Sequence, residues 1–241
     1  MNKNFEKVKE SKNPEIINDF LIELSKNPSK DHLKFLKYFI AKLDSQLFDK
    51  TRLNLIYLIG EIGNVSTLDS KCLEFLLKTY YTSDRWIRNE VIKAFGKILN
   101  KTDLSEDAIK LIAMAINDDY PPIRISALKA LLNLKEMPIF VRRNVFLALN
   151  IKDSELEENC VKIFDKFLPD FNQLFKSLDY SENYQVLKPM GIRALLLAYF
   201  RSPFDLESFR QKISTSNWEI KFKDMYLNEI DTYEKILLKR L

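Results

Sequence analysis

The amino-acid sequence predicts an all-α fold, a solenoid of stacked helix pairs with a helical extension at its C-terminal end. Composition and periodicity carry that prediction. The 241 residues include only 4 Gly and 8 Pro, too few turn formers for a many-stranded sheet, whereas Leu, Ile, Lys, Glu and Ala dominate and suit helices. Three segments, 51–64, 87–100 and 123–136, superimpose without gaps at an offset of 36 residues. Self-similarity at that period marks an array of supersecondary units, each unable to bury its apolar face without a neighbour.

Taken in order, the first helix is Pro14 to Ser25, which completes or caps a degenerate N-terminal repeat. Helix pairs follow at about 29–64, 67–100, 103–136 and 138–168. In the second helices Leu55, Val91 and Ala127 coincide, as do Ile59, Phe95 and Leu131, then Ile62, Ile98 and Leu134. The spacing i, i+4, i+7 is one face of a helix. In the first helices Leu36, Phe39, Ile40 and Leu43 match Leu73, Leu76, Leu77 and Tyr80, which match Ile109, Ile112, Ala113 and Ile116. Gly60 and Gly96 share one position in successive units, where close helix packing explains them.

The turns repeat as well. Asp49, Asp84, Asp119 and Asp153 stand just before the second helix of successive units, spaced 35, 35 and 34 apart. A carboxylate there accepts orphan N–H bonds and favours the positive end of the helix dipole. Pro121 and Pro122 suit a helix start, where a missing N–H is harmless, and Asn64 and Asn100 suit helix stops. Arg52, Arg88 and Arg124 share one register in the first turn of the second helices.

An Asp in the inter-helix turn followed by an Arg at the start of the second helix resembles the HEAT-repeat pattern, most fully at Ile116 to Leu131. The resemblance implies a right-handed α-solenoid in which Asp49, Asp84, Asp119 and Asp153 stack with Arg52, Arg88 and Arg124 into a structural ladder. The unit at 138–168 departs from the pattern, since Asp153 is retained but Glu158 stands where Arg is expected. Residues 1–168 are therefore assigned to repeats and 169–241 to divergent helices or a C-terminal cap of the same solenoid.

After Leu168 the period is lost, but helical signals continue at Pro169 to Leu178, Glu182 to Phe200, Phe204 to Ile213 and Asn217 to Leu241. Pro189 and Gly191 break or kink the second of these. The last helix carries an aromatic stripe, Trp218, Phe222, Tyr226, Ile230, Tyr233, Leu237 and Leu241. Such a stripe caps the end of the stack, or else docks a partner; exposure of Trp218 separates the two.

Composition excludes several function classes. Lys plus Arg number 38 against 34 for Asp plus Glu, a formal charge of +4 spread along the chain. That balance permits a nucleic-acid partner but lacks the dense cluster of a dedicated polyanion binder. Cys72 and Cys160 are far apart among apolar residues and read as small buried hydrophobes. Met1 to Lys7 lacks the apolar core of a signal peptide, and the longest wholly apolar run, Ala194 to Phe200, is too short to span a bilayer. A cytoplasmic protein without membrane insertion is the expectation.

No cofactor or metal site is expected. His32 is the single histidine; it lies in a charged helix start and reads as a surface residue, with no second ligand at metal spacing. Neither Cys-His nor Ser-His-Asp catalysis is supported, and no phosphate-cradling glycine loop is present. The pairs Glu157-Glu158 and Asp118-Asp119 read as capping or solvated groups. Ser83-Asp84-Arg85-Trp86-Ile87-Arg88 is locally similar to the Trp, Asp and Arg set of the HEAT-like DNA-alkylation-repair glycosylases, but the repeat pattern already accounts for Asp84 and Arg88. A non-catalytic protein is expected, with a glycosylase-like or bilin-lyase-like enzyme as the alternative.

In HEAT solenoids the second helices line the concave surface. Removing the core positions leaves Tyr57, Lys93 and Lys129 at one level, with Glu61, Lys97 and Asn133 a turn further on, and Lys162 and Lys166 extending the stripe. This candidate binding face suits an acidic peptide or a nucleic-acid backbone, interrupted by Glu61 and Glu90. Arg142 and Arg143 on a first helix offer a competing surface. The resemblance thus implies an interaction scaffold with a protein partner, and a nucleic-acid-binding protein is the runner-up.

Overall fold

The computed structural model describes residues 2–239, with side chains from residue 5 onward. Among the described residues there is no strand. The chain divides into two compact units, Met1–Leu134 and Lys135–Leu241, so the helix pair expected at 138–168 stands with the helices that follow it.

The first unit contains α1 (Asn2–Val8), α2 (Pro14–Lys26), α3 (Leu33–Lys42), α4 (Ser45–Val65), α5 (Ser70–Tyr81), α6 (Arg85–Ile98), α7 (Glu106–Ala115) and α8 (Pro121–Leu131). Helices α2, α4, α6 and α8 form one row, each packed on the next, and α5 and α7 pack against the helices that follow them. The three aligned sets of second-helix residues, Leu55, Val91 and Ala127, Ile59, Phe95 and Leu131, and Ile62, Ile98 and Leu134, are all buried. Sequence period and core coincide here because each row helix packs on a like neighbour, and α4 and α6 on two. The outer helices differ by a position: in α5 the buried face is Cys72, Leu76, Thr79 and Tyr80, and Leu73 and Leu77 are only half-buried.

Close approach within the row depends on small residues. A Cβ at Gly60 would stand 3.0 Å from the Ala94 Cα, and one at Gly96 3.2 Å from the Ala130 Cβ. Starts are capped by side chains: Asp44 accepts from the Leu47 N–H, Asp69 from Cys72, Asp84 from Trp86 and Ile87, and Ser105 from Ala108. Helix α8 instead opens on Pro121 and Pro122 and has no side-chain cap.

His32 is a correction to the surface expectation. A short 3-10 turn at Lys30–His32 turns its ring inward, where it is buried near the Phe35 ring. Its Nδ1 has no hydrogen-bond partner, and burial lowers its pKa.

The second unit contains α9 (Ile139–Ala148), α10 (Ser154–Phe167), α11 (Phe171–Asp179), a 3-10 segment at Tyr180–Val186, α12 (Pro189–Tyr199), α13 (Pro203–Thr215) and α14 (Ile220–Leu238). Pro189 starts α12, so the expected break at this proline is a helix boundary. Ser181 and Glu182 adopt positive φ, 47° and 55°, where the chain reverses after α11. Helix α12 packs on α9, and α14 packs on α12 and α13.

The aromatic stripe of the last helix is consumed inside this unit. Trp218 is buried, stacked 5.3 Å from Phe175 and 4.4 Å from Tyr184, and its indole N–H donates to Asp179 at 2.9 Å. The Tyr226 hydroxyl donates to the Tyr184 carbonyl at 3.2 Å and the Tyr233 hydroxyl to that of Phe200 at 2.7 Å. These contacts bury Trp218, Tyr226 and Tyr233 within the second unit; Leu241 lies outside the described residues. Cys72 and Cys160 are free and buried, and burial pushes both thiols up to about 12.

Candidate functional site

The ladder is built from arginines of the row helices, with the partners of Arg52 and Arg88 one residue earlier than the repeat spacing implies. Arg52 donates to the Ser83 hydroxyl at 3.3 Å, and Arg88 donates to Asp118 at 3.3 Å. Asp118 also accepts from the Tyr120 N–H at 2.9 Å and the Tyr80 hydroxyl at 3.3 Å, while its carbonyl accepts from Arg124 at 3.0 Å. Burial, followed by the Asp118 charge, pushes the Tyr80 phenol up to about 12. Asp119 is exposed and takes no part in this cluster. Asp84 serves as a cap rather than a rung. Asp49 lies inside α4, paired with Arg52 at 3.6 Å in its own helix, because Asp44 caps that helix more than a turn before the spacing places its start.

The opposite end of the same helices forms a groove of ≈ 350 Å³ lined by Lys93, Gly96, Lys97, Asn100, Ser126, Lys129, Ala130 and Asn133. The small residues Gly96 and Ala130 that let α6 and α8 approach make its floor. Asn133 is fixed by donating to the Gly96 carbonyl at 2.8 Å, and Ser126 by donating to Asn89 at 2.8 Å. Among the lining residues, Lys93, Lys97 and Lys129 are cationic and none is acidic. Acids stand at its margin: Glu61 pairs with Lys97 at 2.6 Å, and Glu90 with Lys93 at 3.5 Å. Tyr57 lies beneath Lys97, whose ammonium is 4.4 Å from its ring centre. The hydrogen bond from Tyr57 to the Glu61 carboxylate raises the phenol's pKa.

Comparison with known proteins bears on this segment. Residues 36–132, from within α3 to the end of α8, match the family model described as HEAT repeats. In fold the chain is also similar to a crystal structure of an engineered protein from the Northeast Structural Genomics Consortium, with a TM-score of 0.55 at 16% identity, covering 96% of this chain and 98% of that one. No curated protein sequence matches the chain.

The matched segment brings Lys93, Lys97, Lys129 and Asn133 to one groove and Tyr57 to its margin. Lys162 and Lys166 are elsewhere, on α10 of the second unit, where Lys162 pairs with Glu158 at 2.7 Å. In that unit the cross-helix bond with HEAT-like spacing starts from the end of α9, where Asn150 donates to the Val186 carbonyl at 2.8 Å. The next, from Arg193 on α12 to Glu229 on α14, measures 2.5 Å. The row therefore runs α9, α12, α14, and α10 stands beside it; Asp153 caps α10 as expected. Arg142 is not a free surface cation, since it is half-buried and donates to Ser177 at 2.7 Å. Sequence reasoning missed Asp118 and Ser83 as partners, and the available signal was the turn's one-residue ambiguity at Asp118-Asp119. Among the described residues no group of three or more His, Cys, Asp or Glu is placed to hold a metal ion, and no helix is long and apolar enough to cross a membrane.

Proposed function

We propose that this chain is a non-catalytic interaction scaffold that receives an acidic stretch of a protein partner in the groove between α6 and α8. The observation that carries this reading is the groove's lining, which holds three cations, Lys93, Lys97 and Lys129, and no acidic residue, with Glu61 and Glu90 pairing two of them from the margin. Clefts walled by one sign of charge attract the opposite sign and accelerate encounter. Amide and hydroxyl groups of Asn100, Ser126 and Asn133 add donors and acceptors for an extended backbone. Stacked repeats supply such extended surfaces without needing a moving part.

A titration of a fluorescein-labelled Glu-rich peptide against duplex and single-stranded DNA, at two salt concentrations, tests it. The peptide binds more tightly than either DNA, and its binding weakens with salt. The double reversal Lys93→Glu with Lys129→Glu lowers peptide affinity by roughly tenfold or more and leaves the melting temperature unchanged. Tighter binding of DNA, or peptide binding indifferent to the reversal, overturns the reading.

A further inference from the structure

The groove does not end at its lysines. Trp86, Glu90, Lys93 and Lys97 follow one another at helical spacing and share one face of α6. At the far end of that face Trp86 is 60% exposed, although its backbone is fixed by the Asp84 cap. Its ring lies 5.6 Å from that of Tyr120, and the Arg85 guanidinium lies 5.4 Å and 5.1 Å from the two ring centres. The fold leaves this aromatic and guanidinium surface uncovered. Trp, Tyr and Arg are the residues that most often concentrate binding energy at protein interfaces, because a large ring buries much area at small entropic cost.

Resting on the groove reading, we propose that the acidic partner segment also carries one large apolar side chain, seated on Trp86, Tyr120 and the stacked Arg85. The face sets the spacing. From Trp86 to Lys97 is three helical turns, roughly 16 Å, which an extended chain crosses in about five residues. Glu90 lies between the two ends, only 15% exposed and turned toward Lys93, so the spanning residues are uncharged. Asp84 and the exposed Asp119 stand at the aromatic end and disfavour carboxylates beside the anchor. The partner's pattern is an apolar anchor, a neutral spacer and then an acidic cluster.

Three fluorescein-labelled peptides test the pattern against the full chain by anisotropy. One has Phe, four neutral residues and three Glu; the second has Phe directly beside the Glu residues; the third has Ala in place of the spaced Phe. The spaced Phe peptide binds at least fivefold more tightly than the other two. In Trp86→Ala and, separately, Arg85→Gln, both checked for unchanged helicity, that gain disappears while the Ala peptide binds as before. Equal affinity of all three peptides, or a gain that survives Trp86→Ala, overturns the anchor and leaves the basic groove standing. Failure of every peptide to bind overturns the groove reading and the anchor with it.

Discussion

A single residue, Asp118, ties together four points of the first unit: its carboxylate holds the end of α5 through Tyr80, the start of α6 through Arg88 and the turn at Tyr120, and its main-chain carbonyl holds the start of α8 through Arg124. Its side chain is only 8% exposed, so removing it leaves donors without an acceptor in a place water reaches poorly. Asp118→Ala is expected to lower stability by about 2–3 kcal/mol, whereas Asp119→Ala stays within about 0.5 kcal/mol. Urea unfolding of the two variants decides it, and equal effects would return the rung to Asp119. His32 gives a second residue-scale expectation. Burial, the larger influence, outweighs Asp31 and lowers its pKa, so the unfolded chain takes up a proton before the folded one does. The stability this neutral ring contributes is complete above the unfolded value of 6.5 and is lost as pH falls through it toward the lower folded value. The urea midpoint of the wild type should therefore drop between about pH 7.5 and about pH 5.5 by more than that of His32→Leu; equal drops would remove His32 as the cause.

At the scale of the element, the row helices were the legible part of the sequence and the outer helices less so. A helix such as α6, packed on α4 and α8, must bury the same positions as its neighbours, so its period is written in Val91, Phe95 and Ile98. An outer helix has one covered side and tolerates a shift, which is why Cys72 and Thr79 replaced Leu73 and Leu77 in the core. Glycine within the row is where this packing is most demanding. Any side chain at Gly60 meets the Ala94 backbone, with the Cβ already at 3.0 Å, and backbone yields less than a flexible side chain. Gly60→Val should cost roughly 1–3 kcal/mol, despite the loss of a helix-disfavouring glycine, and also widen the row beside Lys97. A Gly60→Val protein with an unchanged urea midpoint would show that the row can slide apart freely. Just before the last helix, Trp218→Ala removes a ring stacked on both Phe175 and Tyr184 and is expected to cost about 3–5 kcal/mol; a loss of about 0.5 kcal/mol, the scale of a surface substitution, would show that the ring does not hold the unit together.

For the molecule as a whole, the repeat was readable from 36-residue identities between segments, but the groove was readable only in part. Lys93, Lys97 and Lys129 could be aligned as outward positions, and Glu61 and Lys97, 36 residues apart, at one level; that α10, with Lys162, stands beside its row rather than in it does not follow from spacing, since it depends on which helices become neighbours. Past Leu168 no period remains, and stability there comes from aromatic rings and buried hydroxyls whose partners are far apart in sequence, such as Tyr226 with Tyr184. The two tryptophans expose this contrast to measurement, because each unit holds one. Trp86 is 60% exposed and Trp218 is 4% exposed, so acrylamide should quench the native emission in two populations. Trp86→Phe removes the readily quenched population and leaves a blue-shifted, protected emission; Trp218→Phe does the reverse. Because Trp86 already faces solvent, urea should red-shift the emission of Trp86→Phe strongly and that of Trp218→Phe little. A protected Trp86 in the free protein would mean that its ring is covered before any partner arrives, and the anchor proposed for it would then have no surface to occupy.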